Sequence, residues 1–242
     1  MCAITISFLT TYPRSIMKPS RTLINQIVKL LVRDHECLVN IQVSQLEGAG
    51  HGVFAGAEIK QGCILCLYPG VYTPPLPSFS SDEDVFLANI ESPTGRKMEE
   101  CAYILNLQPS GGFLDGEALV TGFNERMDTN PSACGHLVNH SSTHANVDIL
   151  NFQWRLVLEN LGAGKSRTTH FPLPNTMRLD GSPWYFDSQM NEVVRLNETH
   201  INLNSLSGAA FYATRNINPG DELLLNYRLQ RPYPDWAKDW YS

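Results

Sequence analysis

Cys134–Val147, CGHLVNHSSTHANV, is the stretch on which the reading of this chain turns. An Asn-His pair, Asn139-His140, follows directly on the apolar Leu137-Val138, and a run of Ser, Thr and His then leads to Asn146. Its counterpart lies far downstream in Gly220–Tyr227, GDELLLNY, an acidic turn running into a leucine strand that ends on a tyrosine. Two shorter segments precede both: Gly50-His51-Gly52-Val53-Phe54-Ala55 and Leu67-Tyr68-Pro69-Gly70. Glycines at 50 and 52 let backbone approach a ligand closely and adopt positive φ, although such pairs also mark ordinary turns. Asn139-His140 sets a carbonyl-type acceptor beside a flat polar ring. Taken alone, that dipeptide reads more plainly as a capping Asn and a hydrogen-bonded core His.

The chain has 242 residues, 43% hydrophobic and 17% charged, which fits one larger domain or a domain with an appendage and a substantial core. A net charge of −6 argues against direct nucleic-acid binding through phosphates and suits a basic partner. Six cysteines (Cys2, Cys37, Cys63, Cys66, Cys101, Cys134) are scattered as reduced thiols would be, and Cys63 and Cys66 lie in an apolar strand-like run. No segment reaches the roughly 18 to 20 apolar residues of a membrane span. Met1–Thr11 lacks the basic start and cleavage site of a secretory signal, so a nuclear or cytoplasmic protein is expected.

Along the chain, residues 1–37 form a lead and an amphipathic helix, in which Leu23, Ile27, Leu30 and Leu31 recur at helical spacing after Pro19-Ser20. Val39, Ile41 and Val43 alternate as a strand, Gly48–Gly52 supplies a turn, and Cys63–Tyr68 forms a strand ended by Pro69-Gly70. A further pair is expected at Ala102–Leu107 and Leu114–Val120, and FQWRLVL, Phe152–Leu158, reads as another strand. Asn160–Asn204, rich in turn formers, is an insertion with its own short strands or a disordered loop. Ala209–Ala213 and Glu222–Tyr227 close the pattern, and residues 229–242 form an aromatic tail. Many short strands and few helices predict a mainly β domain over 38–228.

The order and rough spacing of the four motifs resemble the SET domain, the fold of protein-lysine methyltransferases, and bracket most of the chain. Within that family the pattern is most similar to the SET domain-containing protein 9 group, through GVF, YPG and the Asp115-Gly116 turn. The resemblance implies small curled β-clip-like sheets and a C-terminal pseudoknot, in which the Asn-His segment and the last motif cross. It implies S-adenosyl-L-methionine as cofactor, with Gly50, His51, Gly52, Val53 and Phe54 against its methionine part. Asn139 goes to its amino-acid end, His140 to its adenine, and Tyr227 belongs to both the cofactor site and the chemistry. Trp236 or Trp240 would cover the adenine, or simply pack. Tyr227 is the expected catalytic tyrosine, Tyr68 a wall of the lysine channel, and Tyr212 the residue that sets methyl number, favouring monomethylation unless the strand slips by one to Phe211. The implied partner is a protein substrate bearing a lysine, histone or non-histone, and a monomer is expected. No metal is required.

The sequence departs from the family where the usual Asn-His-Ser-Cys-x-Pro-Asn becomes Asn139-His140-Ser141-Ser142-Thr143-His144-Ala145-Asn146, one residue longer and without proline. Asn226 stands where the family has Asp before the final Tyr, and Asp221 and Glu222 read as turn and surface carboxylates. Two other functions compete. A SET-derived domain without turnover would be an interaction scaffold, and His136, His140 and His144, spaced i, i+4, i+8, would line one helix face as metal ligands if that stretch were helical.

Overall fold

The computed structural model describes residues 19–32, 38–73, 103–107, 112–116, 132–160, 184–187, 192–195 and 207–228. The expected lead, the aromatic tail with Trp236 and Trp240, and most of the 160–204 insertion lie outside the described residues.

Helix α1 is Arg21–Val32. Ser20 starts it, its Oγ accepting the Leu23 N–H at 3.3 Å, and Ile24, Ile27 and Leu30 bury one face. The strands are β1 (Val39–Val43), β2 (His51–Ala55), β3 (Ile64–Leu67), β4 (Val71–Thr73), β5 (Ile104–Asn106), β6 (Phe113–Asp115), β7 (Asn139–His140) and β8 (Val147–Gln153). Then come β9 (Trp184–Asp187), β10 (Glu192–Arg195), β11 (Ser207–Ala213) and β12 (Leu224–Leu225). They make an antiparallel β1-β2 ribbon, a sheet ordered β10-β9-β4-β6-β5, and a sheet ordered β3-β11-β8-β12-β7. The molecule is mainly β with a short N-terminal helix, as the sequence predicts. The insertion carries strands of its own, the antiparallel pair β9 and β10.

FQWRLVL corrects one expectation. The strand starts earlier, at Val147, ends at Gln153, and gives way to a helix α2, Trp154–Asn160, that packs on α1. Phe152, Trp154 and Leu156 alternate like a strand, but Trp154 and Val157 are buried three residues apart. Arg155 pairs with Glu159 at 2.7 Å, an i, i+4 contact that only a helix makes.

The third sheet positions everything that follows. β11 lies between β3 and β8, with a seven-residue antiparallel ladder to β8 from Ser207↔Gln153 to Ala213↔Val147. β12 lies between β7 and β8 and runs parallel to both, with Leu224↔Asn139 and Leu225↔His140 in register. Since β7 and β8 are the two arms of one short loop, residues 141–146 bridge over the C-terminal strand. This is the crossing that the family resemblance implied, and such threading is rare because un-knotted connections dominate.

Candidate active site at the strand crossing

Asn146 fastens the crossing. Its Nδ2 donates to the Glu222 carbonyl at 2.8 Å and its Oδ1 accepts the Leu224 N–H at 2.8 Å. Its backbone N–H donates to the Leu224 carbonyl, and the Ser141 N–H to the Leu225 carbonyl. Between these anchors the loop makes an exposed turn, closed where Ser141 Oγ accepts the His144 N–H at 2.9 Å.

His140 is buried beneath Tyr227, ring centroids 4.9 Å apart. Its Nδ1 accepts the Tyr227 N–H at 3.0 Å and lies 3.2 Å from the Leu225 carbonyl. One nitrogen cannot both accept the first and donate to the second in the neutral ring. The Leu225 carbonyl also takes the Ser141 N–H. Burial holds this imidazole down to about 4, against the opposing pull of the Leu225 carbonyl.

Tyr227 is buried, and its hydroxyl donates to the Val138 carbonyl at 2.8 Å. Tyr68 is buried likewise and donates to the Tyr103 carbonyl at 2.8 Å. Burial first, then the neighbouring Tyr227, Asp115 and Tyr103, raises the Tyr68 hydroxyl well above its ordinary range, so it stays protonated. Each phenol thus gives its proton to a backbone carbonyl.

Phe211 stacks on Tyr68 with centroids 6.4 Å apart at 20°. Gly135 makes room for that ring, since a Cβ there would stand 2.5 Å from Phe211 Cε2. Tyr212, next along β11, is half-buried and alternates to the other side of the strand, with Asp148 and Ile64 as its register partners. The structure brings Phe211, the alternative that a one-residue slip offers, against Tyr68.

On the other flank, Gly52 is buried in β2, with exposed Gly50 (φ 75°) and His51 before it and buried Val53 and Phe54 after it. Asn139 is buried, and its Nδ2 donates to the His51 carbonyl at 3.2 Å and to Glu222 Oε1 at 2.9 Å. A Cβ on Gly52 would run into Glu222 Oε1 and stand 3.0 Å from Asn139 Nδ2.

Glu222 overturns its reading as a surface carboxylate: it is only 8% exposed. Besides Asn139 it takes Ser44 Oγ at 2.8 Å and the Gln45 N–H at 3.2 Å. Those donors lie 83, 178 and 177 positions away, so no local pattern in GDELLLNY announces them. Asp221, in contrast, is exposed, as read.

The histidine series does not share a helix. His136 sits in a single 3-10 turn, His140 in β7, and His144 in the exposed loop, where it contacts Thr143 Oγ1 at 2.8 Å. Among the described residues no group of three or more His, Cys, Asp or Glu is placed to hold a metal ion.

No protein-family model matches the chain, and no curated protein matches it. Solved structures do match. CpSET8 from Cryptosporidium superposes with a TM-score of 0.45 at 16% identity, over 93% of this chain and 71% of its own. A chain of the Chaetomium thermophilum polycomb repressive complex 2, in an autoinhibited conformation bound to S-adenosylmethionine, gives 0.37 at 18% identity over 86% of this chain. KRYPTONITE in complex with mCHH DNA, H3(1-15) peptide and SAH gives 0.37 at 14% identity over 82%. The chain spans only 17% and 25% of the length of these last two.

Proposed function

We propose that this chain folds as a SET domain and methylates a lysine side chain of a protein, with S-adenosyl-L-methionine as donor. The observation that carries this reading is the convergence of three remote segments at one crossing. Ser44–Phe54, Asn139-His140 and Glu222–Tyr227 are joined there by buried and part-buried hydrogen bonds, in which Asn139, His140 and Glu222 supply side chains. The domain spans 38–228 in this reading, with 160–204 inserted.

The residues present suit such a cofactor. Gly52 carries no side chain, which lets the Glu222 carboxylate and the Asn139 amide pack directly on its backbone, and Asn139 offers an amide oxygen to an ammonium group. The backbone around His51 and His140 would hold the remainder, with Val53 and Phe54 buried behind. When bound, S-adenosylmethionine supplies an electrophilic methyl group on a sulfonium. The chain's part is to present a neutral amine to it. A free lysine has a pKa of about 10.4, and apolar surroundings lower that value. Phe211 and the rings of Tyr68 and Tyr227 provide such surroundings, and the two phenol oxygens can accept from the amine and orient its lone pair. Holding the reacting groups in line accounts for most of the acceleration expected of such a site.

A calorimetric titration with S-adenosylmethionine, followed by a radiolabelled methyl-transfer screen over lysine peptide arrays, tests the reading. Binding with label on lysine is the expected result. Binding without label on any peptide or protein would favour a scaffold, and no binding would remove the reading altogether.

A further inference from the structure

Glu222 is the residue on which the three segments converge, and its carboxylate has been given no chemical role above. Its carboxylate meets Asn139 Nδ2 at 2.9 Å in a buried contact, and Ser44 Oγ at 2.8 Å and the Gln45 N–H at 3.2 Å in part-buried ones. A carboxylate can accept all three bonds, whereas an amide in its place would set one donor against another.

The consequence falls on Asn139. An amide can be turned over, exchanging its oxygen and nitrogen, and the surrounding network decides which way it stands. Turned over, Asn139 would aim its oxygen at Glu222 Oε1 and at the His51 carbonyl, two acceptors now 2.9 and 3.2 Å from its nitrogen. Both contacts would be repulsive, so both amide hydrogens are committed and Oδ1 must face the other way. Among the described residues no donor occupies Oδ1.

We infer that Glu222 is a positioning residue for cofactor recognition: it locks the Asn139 amide with its oxygen outward, so that the site selects ligands carrying an ammonium group at the amino-acid end. Ser44 and Gln45 hold the carboxylate in turn, tying the glycine turn to the selector. The inference rests on the methyltransferase reading and adds to it the residue that sets the preference.

The test compares S-adenosylhomocysteine with 5′-methylthioadenosine, which keeps the nucleoside and the thioether and lacks the amino-acid end. Affinities are measured by calorimetry on the full chain, with thermal unfolding of each ligand-free variant recorded alongside. The wild-type chain should prefer S-adenosylhomocysteine. Glu222→Gln and Glu222→Ala should cut that preference at least tenfold and leave methylthioadenosine within about threefold. Ser44→Ala, a gentler change, should give a smaller loss in the same direction if the Glu222 variants do not fold. In an Asn139→Ala background, Glu222→Gln should alter the preference no further, because the two act as one unit. A preference unchanged in the Glu222 and Ser44 variants, or a loss that simply adds to that of Asn139→Ala, overturns the inference and leaves the cofactor reading standing. Failure of the wild-type chain to bind either ligand overturns the cofactor reading itself.

Discussion

Removing the Tyr227 hydroxyl separates its two duties. Tyr227→Phe keeps the ring against His140 and deletes the bond to the Val138 carbonyl. Leaving that buried carbonyl short of one donor should cost about 1–2 kcal/mol of stability, measurable by denaturant unfolding. Affinity for S-adenosylhomocysteine should persist while methyl transfer is lost. The neighbouring aromatic position gives a second test. Phe211 stacks on Tyr68, so Phe211→Tyr should change the number of methyl groups added, read by mass spectrometry of the product.

Strand β12 is only two residues long and could not hold its place by ladder bonds alone. Asn146 makes up the deficit with two side-chain bonds to the backbone at Glu222 and Leu224. Asn146→Ala would strand a buried N–H and a carbonyl together, and should destabilise the protein by about 2–4 kcal/mol, seen as a lowered denaturation midpoint. Beyond β12, Arg228 takes a positive φ of 54° and is fixed by Asp148 Oδ2 at 3.0 Å, while its N–H donates to Asn226 Oδ1 at 2.8 Å. Asn226 thus serves as the acceptor of the turn just after Tyr227.

For the whole molecule, two buried histidines link folding to pH. Burial lowers His136 to about 3 and His140 to about 4, against 6.5 for the exposed ring. The unfolded chain therefore takes up these protons first on acidification. Their contribution to stability is complete above about pH 6.5 and is lost as pH falls towards the folded values. Between pH 6 and 4.5 the slope should approach about 1.4 kcal/mol per pH unit for each ring. Urea unfolding at a series of pH values should show this slope, and His136→Gln should reduce it.

How far all of this was legible follows from distance along the chain. Helix α1 and strands β1 to β3 declare themselves through periodicity and turn residues, and the four motifs were placed in order. The Trp154 helix was hidden because its apolar residues alternate through the strand that leads into it. Glu222 was hidden for a different reason, since its partners are supplied by segments that only the crossing brings near. Phe211 and Tyr212 are neighbours on one strand, and the stacking of Phe211 on Tyr68 depends on a contact that no local pattern announces.

The central claim is that one ligand touches all three converging segments at once. Backbone amide spectra of the isotopically labelled chain, titrated with S-adenosylhomocysteine, test it directly. The account predicts saturable shifts clustered at Gly50–Phe54, Asn139-His140 and Tyr227 together. Shifts confined to one segment, or none at saturating ligand, would contradict it.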